Sequence, residues 1–284
     1  MRLILMSVNA EFLKKEAEMK ALSIRKTSMI RYKFIVLSGK GGVGKSIVTA
    51  NLGLAFSKLG FKGKIGILDA DIHGPSIPRY LGYENAEVLT DGEKLYPVET
   101  KYGIKLMSAS FFLKDKELPI IWRGPLKIKL IRDMITSTEW GNLDLLLIDT
   151  PPGTGDEIQG IVEYISKITG AVVVTIPSDV SLHVVKRAVS FLKTVNVPLK
   201  GIIENMSFVR CNDGSVKRPF GEGGAKVEKE LGEKIIARIP MNPLLSNPID
   251  DTNNPYEYDN LNNNEVAISF MEAAKKLIES QSGV

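Results

Sequence analysis

The stretch SGKGGVGKS, Ser38 to Ser46, fits two phosphate-binding patterns at once. As G-x-x-x-x-G-K-[ST] it runs from Gly39 through Gly44 to Lys45 and Ser46, a P-loop for nucleoside triphosphates; as G-x-G-x-x-G it uses Gly39, Gly41 and Gly44, a dinucleotide fingerprint. Both need a strand, a tight glycine turn and a helix whose first amides face phosphate. YKFIVLS, Tyr32 to Ser38, reads as the buried strand. KSIVTANLGLAFSKLG from Lys45 reads as the helix, with Ile47, Leu54, Ala55 and Leu59 at helical spacing and Gly60 as its stop. Lys45 and Ser46 separate the two patterns. A triphosphate needs an ammonium for its β and γ phosphates and a hydroxyl for magnesium, whereas a dinucleotide site has no use for either. The triphosphate reading is therefore preferred, with Gly39, Lys40, Gly41, Gly42, Val43 and Gly44 forming the cradle.

At 284 residues the chain can bury a sizeable core in one large α/β domain or two small ones. Thirty-seven Lys and Arg against 33 Asp and Glu give a spread excess of +4, which does not argue for a nucleic-acid partner. A single cysteine, Cys211, excludes an internal disulfide framework and fits a reducing compartment. No apolar run reaches membrane-spanning or signal-peptide length, so a cytoplasmic protein without a membrane partner is expected.

Residues 1–30 read as an appendage: SVNAEFLKKEAEMKALSIRK has a Ser7/Asn9 start signal and apolar Phe12, Leu13, Met19 and Leu22, the pattern of an amphipathic helix. A frayed tail is the competing reading, since Met6, Met19 or Met29 could each be an alternative start. Residues 31–284 then form a single domain. Strands at KIGILDA, LDLLLID, AVVVTIP, KGIIENM and KIIARIP alternate with helical segments, which predicts an α/β, mostly parallel, doubly wound sheet. Between Glu87 and Ser110 the period shortens, predicting a small β-hairpin or meander inserted at an edge. DDTNNPYEYDNLNNNE reads as a surface loop before a last helix, EVAISFMEAAKKLIES, which lacks a cationic face and should pack on the sheet.

Two strands end in aspartate, where an open parallel sheet places its ligands. Asp149, after four apolar residues in LLLIDTPPGTGD, is placed as the carboxylate that holds magnesium. In IGILDADIHGPS, Asp71 is placed to orient or deprotonate the attacking water, with Asp69 and Ser46 supporting the magnesium shell. Under the dinucleotide reading Asp69 would instead take a ribose hydroxyl. The glycines and threonines of TPPGTGDE suit a loop that orders around a γ-phosphate.

The second lysine, Lys40, resembles the deviant Walker A signature of the MinD/ParA/nitrogenase-iron-protein class of dimeric ATPases. Within that class, DADIHGPSIPRYLG, WRGP, DTPPGTGDE and ENMS, spanning about Tyr32 to Pro240, resemble the Mrp/ApbC-type iron–sulfur cluster carriers. The resemblance implies a homodimer in which Lys40 reaches the partner's phosphates, ATP and Mg2+ as cofactors, and a catalytic set of Lys40, Lys45 and Asp71. It further implies that Asn205 meets adenine, with Pro240 lining the base pocket. Trp122 and Arg123 match family positions without an assigned mechanism. It implies iron–sulfur cluster assembly, with apoprotein clients.

One motif departs from the pattern. The family usually carries C-x-x-C shortly after ENMS, four thiolates per dimer. Here Cys211 stands first, and the second position is Gly214. A dimer would offer two thiolates, short of the usual ligation of a [4Fe–4S] cluster, so Cys211 is either an incomplete cluster ligand or a bystander in a glycine-rich loop. The second functional reading is accordingly a MinD/ParA-like ATP-driven dimer switch that carries no cluster; a nicotinamide-dependent redox enzyme survives only through the glycine spacing.

Overall fold

The computed structural model describes residues 2–113, 124–178, 180–250, 254–256 and 264–279, with side chains outside 2–12 and 124–125. Its strands are β1 (Tyr32–Leu37), β2 (Ile65–Asp69), β3 (Leu89–Thr90), β4 (Leu95–Tyr96), β5 (Val98–Glu99), β6 (Ile104–Ser108), β7 (Leu145–Asp149), β8 (Gly170–Thr175), β9 (Leu199–Glu204), β10 (Val209–Arg210), β11 (Val216–Lys217) and β12 (Ile235–Arg238). Its α-helices are α1 (Arg2–Ser28), α2 (Lys45–Phe56), α3 (Ile77–Tyr80), α4 (Gly124–Ser137), α5 (Asp156–Tyr164), α6 (Ser181–Thr194), α7 (Gly223–Leu231) and α8 (Glu265–Glu279).

Eight strands form one sheet in the order β12-β9-β8-β1-β7-β2-β6-β5, parallel throughout except for β5. The order follows from burial on both faces. In β1, Tyr32, Phe34 and Val36 point into one core with α2 and α8, while Ile35 and Leu37 point into the other with α4, α5 and α6. An uninterrupted apolar run is what such a doubly covered strand requires. Helix α8 closes the first face with Val266, Ala267, Phe270, Ala273, Ala274 and Leu277, as its sequence predicts.

Three expectations need correction. The stretch from Glu87 to Ser110 is not wholly an edge insertion: β3 and β4 form a hairpin apart and β5 is the antiparallel edge, but β6 is a full parallel neighbour of β2. The polar residues before β6 hide its role, because the period-two signal of β4 and β5 runs into it. Within the stretch read as a surface loop, Tyr256 is buried, and its hydroxyl lies 3.0 Å from Asn51 Oδ1 and 3.1 Å from the Asn51 carbonyl of α2. Finally, α1 is a helix, but it starts five residues before Ser7, and Leu13 and Leu22, expected to face inward, are 63% and 49% exposed. Among its described side chains the buried ones are Ser23 and Thr27, with Met19 half-buried.

Candidate functional site: a phosphate loop backed by three carboxylates

The glycine loop lies at the C-terminal ends of β1, β2 and β7. Gly44 has φ +81°, and a Cβ there would meet Asn205 Nδ2, so only glycine lets the loop pass this close to β9. At Gly41 and Gly42 a Cβ would meet nothing within 4 Å, leaving the outer side of the loop open. Helix α2 starts at once from Lys45, so its first amides face that opening. Gly60, at φ +104°, breaks the helical path inside the irregular turn Ser57–Phe61 that follows α2.

Lys45 is buried, and its ammonium is held at 2.7 Å by Asp149 Oδ2 and at 3.3 Å by Asp71 Oδ2. Burial opposes that charge, but the nearby carboxylates of Asp149, Asp71 and Asp69 outweigh it and hold the Lys45 pKa above its ordinary value. Asp149 is the hub: Ser46 Oγ donates to its Oδ2 at 2.6 Å, and Thr49 Oγ1 donates to its Oδ1 at 2.6 Å. Thr49 was not singled out from the sequence. Its signal was present, since it stands four residues after Lys45 and so on the same face of the helix.

Asp69 and Asp149 are register partners on β2 and β7, which sets the carboxylates side by side. Asp69 is fully buried, and its oxygens accept from Asp71 N (3.3 Å), Ile77 N (3.2 Å) and Ser108 Oγ (2.9 Å). Burial and then the charge of Asp149 push its pKa up to about 8. It thus braces the backbone of Asp71 and α3 and does not bond Lys45. Asp71 Oδ1 is buried with no partner among the described residues.

Beside the loop is a cavity of about 620 Å3, lined by the phosphate loop, Asp71, Tyr80, Asn205, Pro240 and Met241. Asn205 and Pro240, from the segments just past β9 and β12, are brought together as lining of this cavity. Asn205 Nδ2 donates to the carbonyl of Val43 at 2.9 Å, leaving Oδ1 buried and without a partner among the described residues. The loop 150–155 is tied back to the site, with Gly153 N donating to Ser38 O at 2.8 Å. Lys40 is half-buried at the loop's outer edge, and its carbonyl accepts from Ser38 Oγ. Trp122 and Arg123 lie outside the described residues.

Cys211 lies apart, in the turn of the β10–β11 hairpin, with its N–H bonded to Ser215 O. Gly214 occupies the same turn at φ +80°. Asp213 Oδ1 accepts from Ser215 N and Ser215 Oγ, so that oxygen is committed within the turn. Among the described residues no group of three or more His, Cys, Asp and Glu side chains is arranged for a metal ion. The hard oxygens of Ser46 and Asp149 beside an open phosphate cradle nonetheless suit magnesium shared with a triphosphate, which supplies the remaining ligands, whereas Asp69, expected in the magnesium shell, has its oxygens turned to Asp71 N, Ile77 N and Ser108 Oγ. The single thiol does not suit a [4Fe–4S] cargo.

A parallel sheet with a lysine-bearing glycine loop, a strand-end aspartate and a cavity beside the loop defines a P-loop nucleoside triphosphatase. The family model for NUBPL iron-transfer P-loop NTPases of the ParA group matches residues 29–278, and the chain belongs to that family. It is 49% identical over 216 residues, 75% of this chain and 74% of the relative, to the iron-sulfur cluster carrier protein of Methanocaldococcus jannaschii. It is 43% identical to that of Aquifex aeolicus, over 89% of this chain and 69% of the relative. A solved nucleotide-binding protein from Archaeoglobus fulgidus, in complex with ADP, superposes with a TM-score of 0.67 at 34% identity, covering 89% of this chain and 92% of its own. A MinC:MinD complex from Aquifex aeolicus superposes at 0.60 and 25% identity, covering 87% and 96%. No described helix is long and apolar enough to cross a membrane.

Proposed function

We propose that the chain is a magnesium-dependent ATPase that works as a homodimer in iron–sulfur cluster assembly or delivery to apoproteins in the cytoplasm. The observation that carries the nucleotide reading is Lys45, held with Ser46 by Asp149 at the mouth of an open glycine cradle. Arriving phosphates give the ammonium a new partner, releasing it from the carboxylates towards the β and γ oxygens. Magnesium, held by Ser46 and Asp149, would neutralise phosphate charge. Asp71 Oδ1, buried and without a partner among the described residues, is the acceptor for the proton of the attacking water as the water's oxygen bonds to the γ-phosphorus and the bond to the β-bridging oxygen breaks. Lys40, at the outer rim, is available to a second copy's phosphates, adding a cation only when the dimer is closed. An acceptor at Asn205 Oδ1 matches the amino group of adenine and mismatches the carbonyl of guanine.

The test is titration of purified protein with ATP and GTP in the presence of magnesium, with turnover followed by phosphate release. Tighter binding of ATP with slow hydrolysis supports the reading; equal indifference to both nucleotides would sink it. One observation favours the second reading, a nucleotide switch without its own cluster: Cys211 has only Gly214 where a second thiol would stand. Anaerobic reconstitution with iron and sulfide, wild type against Cys211→Ser, separates the two. A cysteine-dependent visible absorption supports cluster handling, and its absence supports the switch.

A further inference from the structure

Helix α1 lies outside the nucleotide site, yet its last two turns touch both α4 and α5. Ser23 Oγ donates to the carbonyl of Tyr164, the last residue of α5, at 2.6 Å. Lys26 Nζ donates to the carbonyl of Thr136, one residue before the end of α4, at 3.2 Å and faces Glu139 at 3.6 Å. Thr27 Oγ1 accepts from Ser166 N, just past α5, at 2.9 Å. A helix leaves its last four carbonyls without intrahelical donors. Here one neighbouring helix supplies donors to the C-termini of two others. Farther along α1, Glu16 faces Arg132 of α4 at 3.6 Å and the hydroxyl of Tyr164 at 3.4 Å, and Lys20 faces Glu163 of α5 at 3.9 Å. Buried Lys33 on β1 anchors the end of α1 by donating to the carbonyls of Thr27 and Ile30.

The chemistry of this seam is informative. Over residues 13–28, whose side chains are described, Ser23 and Thr27 are buried, Met19 is half-buried, Leu13 and Leu22 face outward, and the contacts to α4 and α5 named above are hydrogen bonds and ion pairs. Water can replace such bonds at small net cost, whereas releasing an apolar seam would expose core. The opposite end of α5 grows out of the loop 150–155, which is itself bonded to the phosphate loop through Gly153 and Ser38. A nine-residue helix is a rigid rod of about 13 Å, so a shift at its start is felt at its end.

We propose that α1 is a brace whose docking is coupled to the nucleotide state. By fixing the C-terminal ends of α4 and α5 it biases the loop 150–155, and a nucleotide that moves this loop changes how firmly α1 is held. The proposal rests on the nucleotide-binding reading above. Linkage makes it reciprocal: whatever factor nucleotide exerts on α1 docking, α1 docking exerts on nucleotide affinity.

The experiment uses the full chain and the variant S23A/T27V, in which alanine keeps the helix favourable and valine keeps the shape of threonine. Binding of a non-hydrolysable ATP analogue is measured by calorimetry, and amide hydrogen exchange is followed in 16–28 and 150–165 with and without it. The expected result is a nucleotide-dependent change of at least about fivefold in exchange across 16–28 of the wild type, matched by a similar change in analogue affinity in the variant. Equal affinities, or unchanged exchange in α1, would overturn the brace. So would uniform loss of protection across the sheet in the variant, the mark of a general stabiliser. If S23A/T27V does not fold, Lys26→Met, at the rim of the seam, takes its place under the same criteria. Failure of the wild type to bind the analogue at all would overturn the nucleotide reading, and the brace with it.

Discussion

Lys45 sits between two carboxylates in a buried site, and its loss has consequences of two kinds. Lys45→Ala removes the phosphate cation and leaves Asp149 and Asp71 facing each other uncompensated. Nucleotide binding should become undetectable by calorimetry, and the empty protein should lose on the order of 3–5 kcal/mol of stability, measured by urea denaturation. Asp71→Ala is predicted to differ: the analogue still binds, but phosphate release falls by about a hundredfold or more, and unchanged turnover would remove Asp71 from the water. Asp69 makes a prediction in pH. Its carboxyl is held protonated in the fold up to about 8, whereas the unfolded chain releases that proton near 4. The unfolded state therefore binds fewer protons between those values, and this contribution to stability falls as pH rises from about 4 to about 8, then levels off. In Asp69→Asn the corresponding downward slope should disappear from denaturation midpoints measured without nucleotide.

Among the elements, those with one dominant physical signal could be read directly from the sequence. β1, β2, β7, β8, β9 and β12 are each dominated by apolar residues, with Lys33 and Lys200 the interruptions in β1 and β9, and α2 and α8 carry a helical period. Their burial leaves no competing arrangement. Phe270, fully buried in α8, is a test of that packing: Phe270→Ala should cost about 3–5 kcal/mol in urea denaturation, with nucleotide affinity preserved. What escaped the sequence depends on partners distant along the chain. β6 is recognisable only beside β2, Tyr256 is buried only because Asn51 receives its hydroxyl, and α1 presents serine and threonine inward because α5 ends there. In the site, Lys45, Ser46 and Asp149 were legible because phosphate chemistry fixes their types and spacing. The bracing role of Asp69 was not, because its partners Ser108 and Ile77 come from other elements.

The molecule as a whole places the cavity beside the phosphate loop and the single cysteine on one backbone path. From Asn205, which lines the cavity, the chain runs through Met206 and Ser207 into the hairpin that carries Cys211, and Met241, also lining the cavity, donates its N–H to Phe208 O. If the dimer closes over nucleotide, Lys40→Ala should leave monomer folding and analogue binding within about twofold while cutting phosphate release at least tenfold. Sedimentation of wild type and variant with the analogue checks whether closure survives. At the tip of this path, Gly214 faces open space, with nothing within 4 Å of where a side chain would begin. A second thiol could be gained or shed there by changing one codon, at the cost of a strained turn residue but without disturbing the core or the phosphate loop. The hairpin tip can thus change while the phosphate loop is left alone, and relatives that share this P-loop body are free to diverge at that turn.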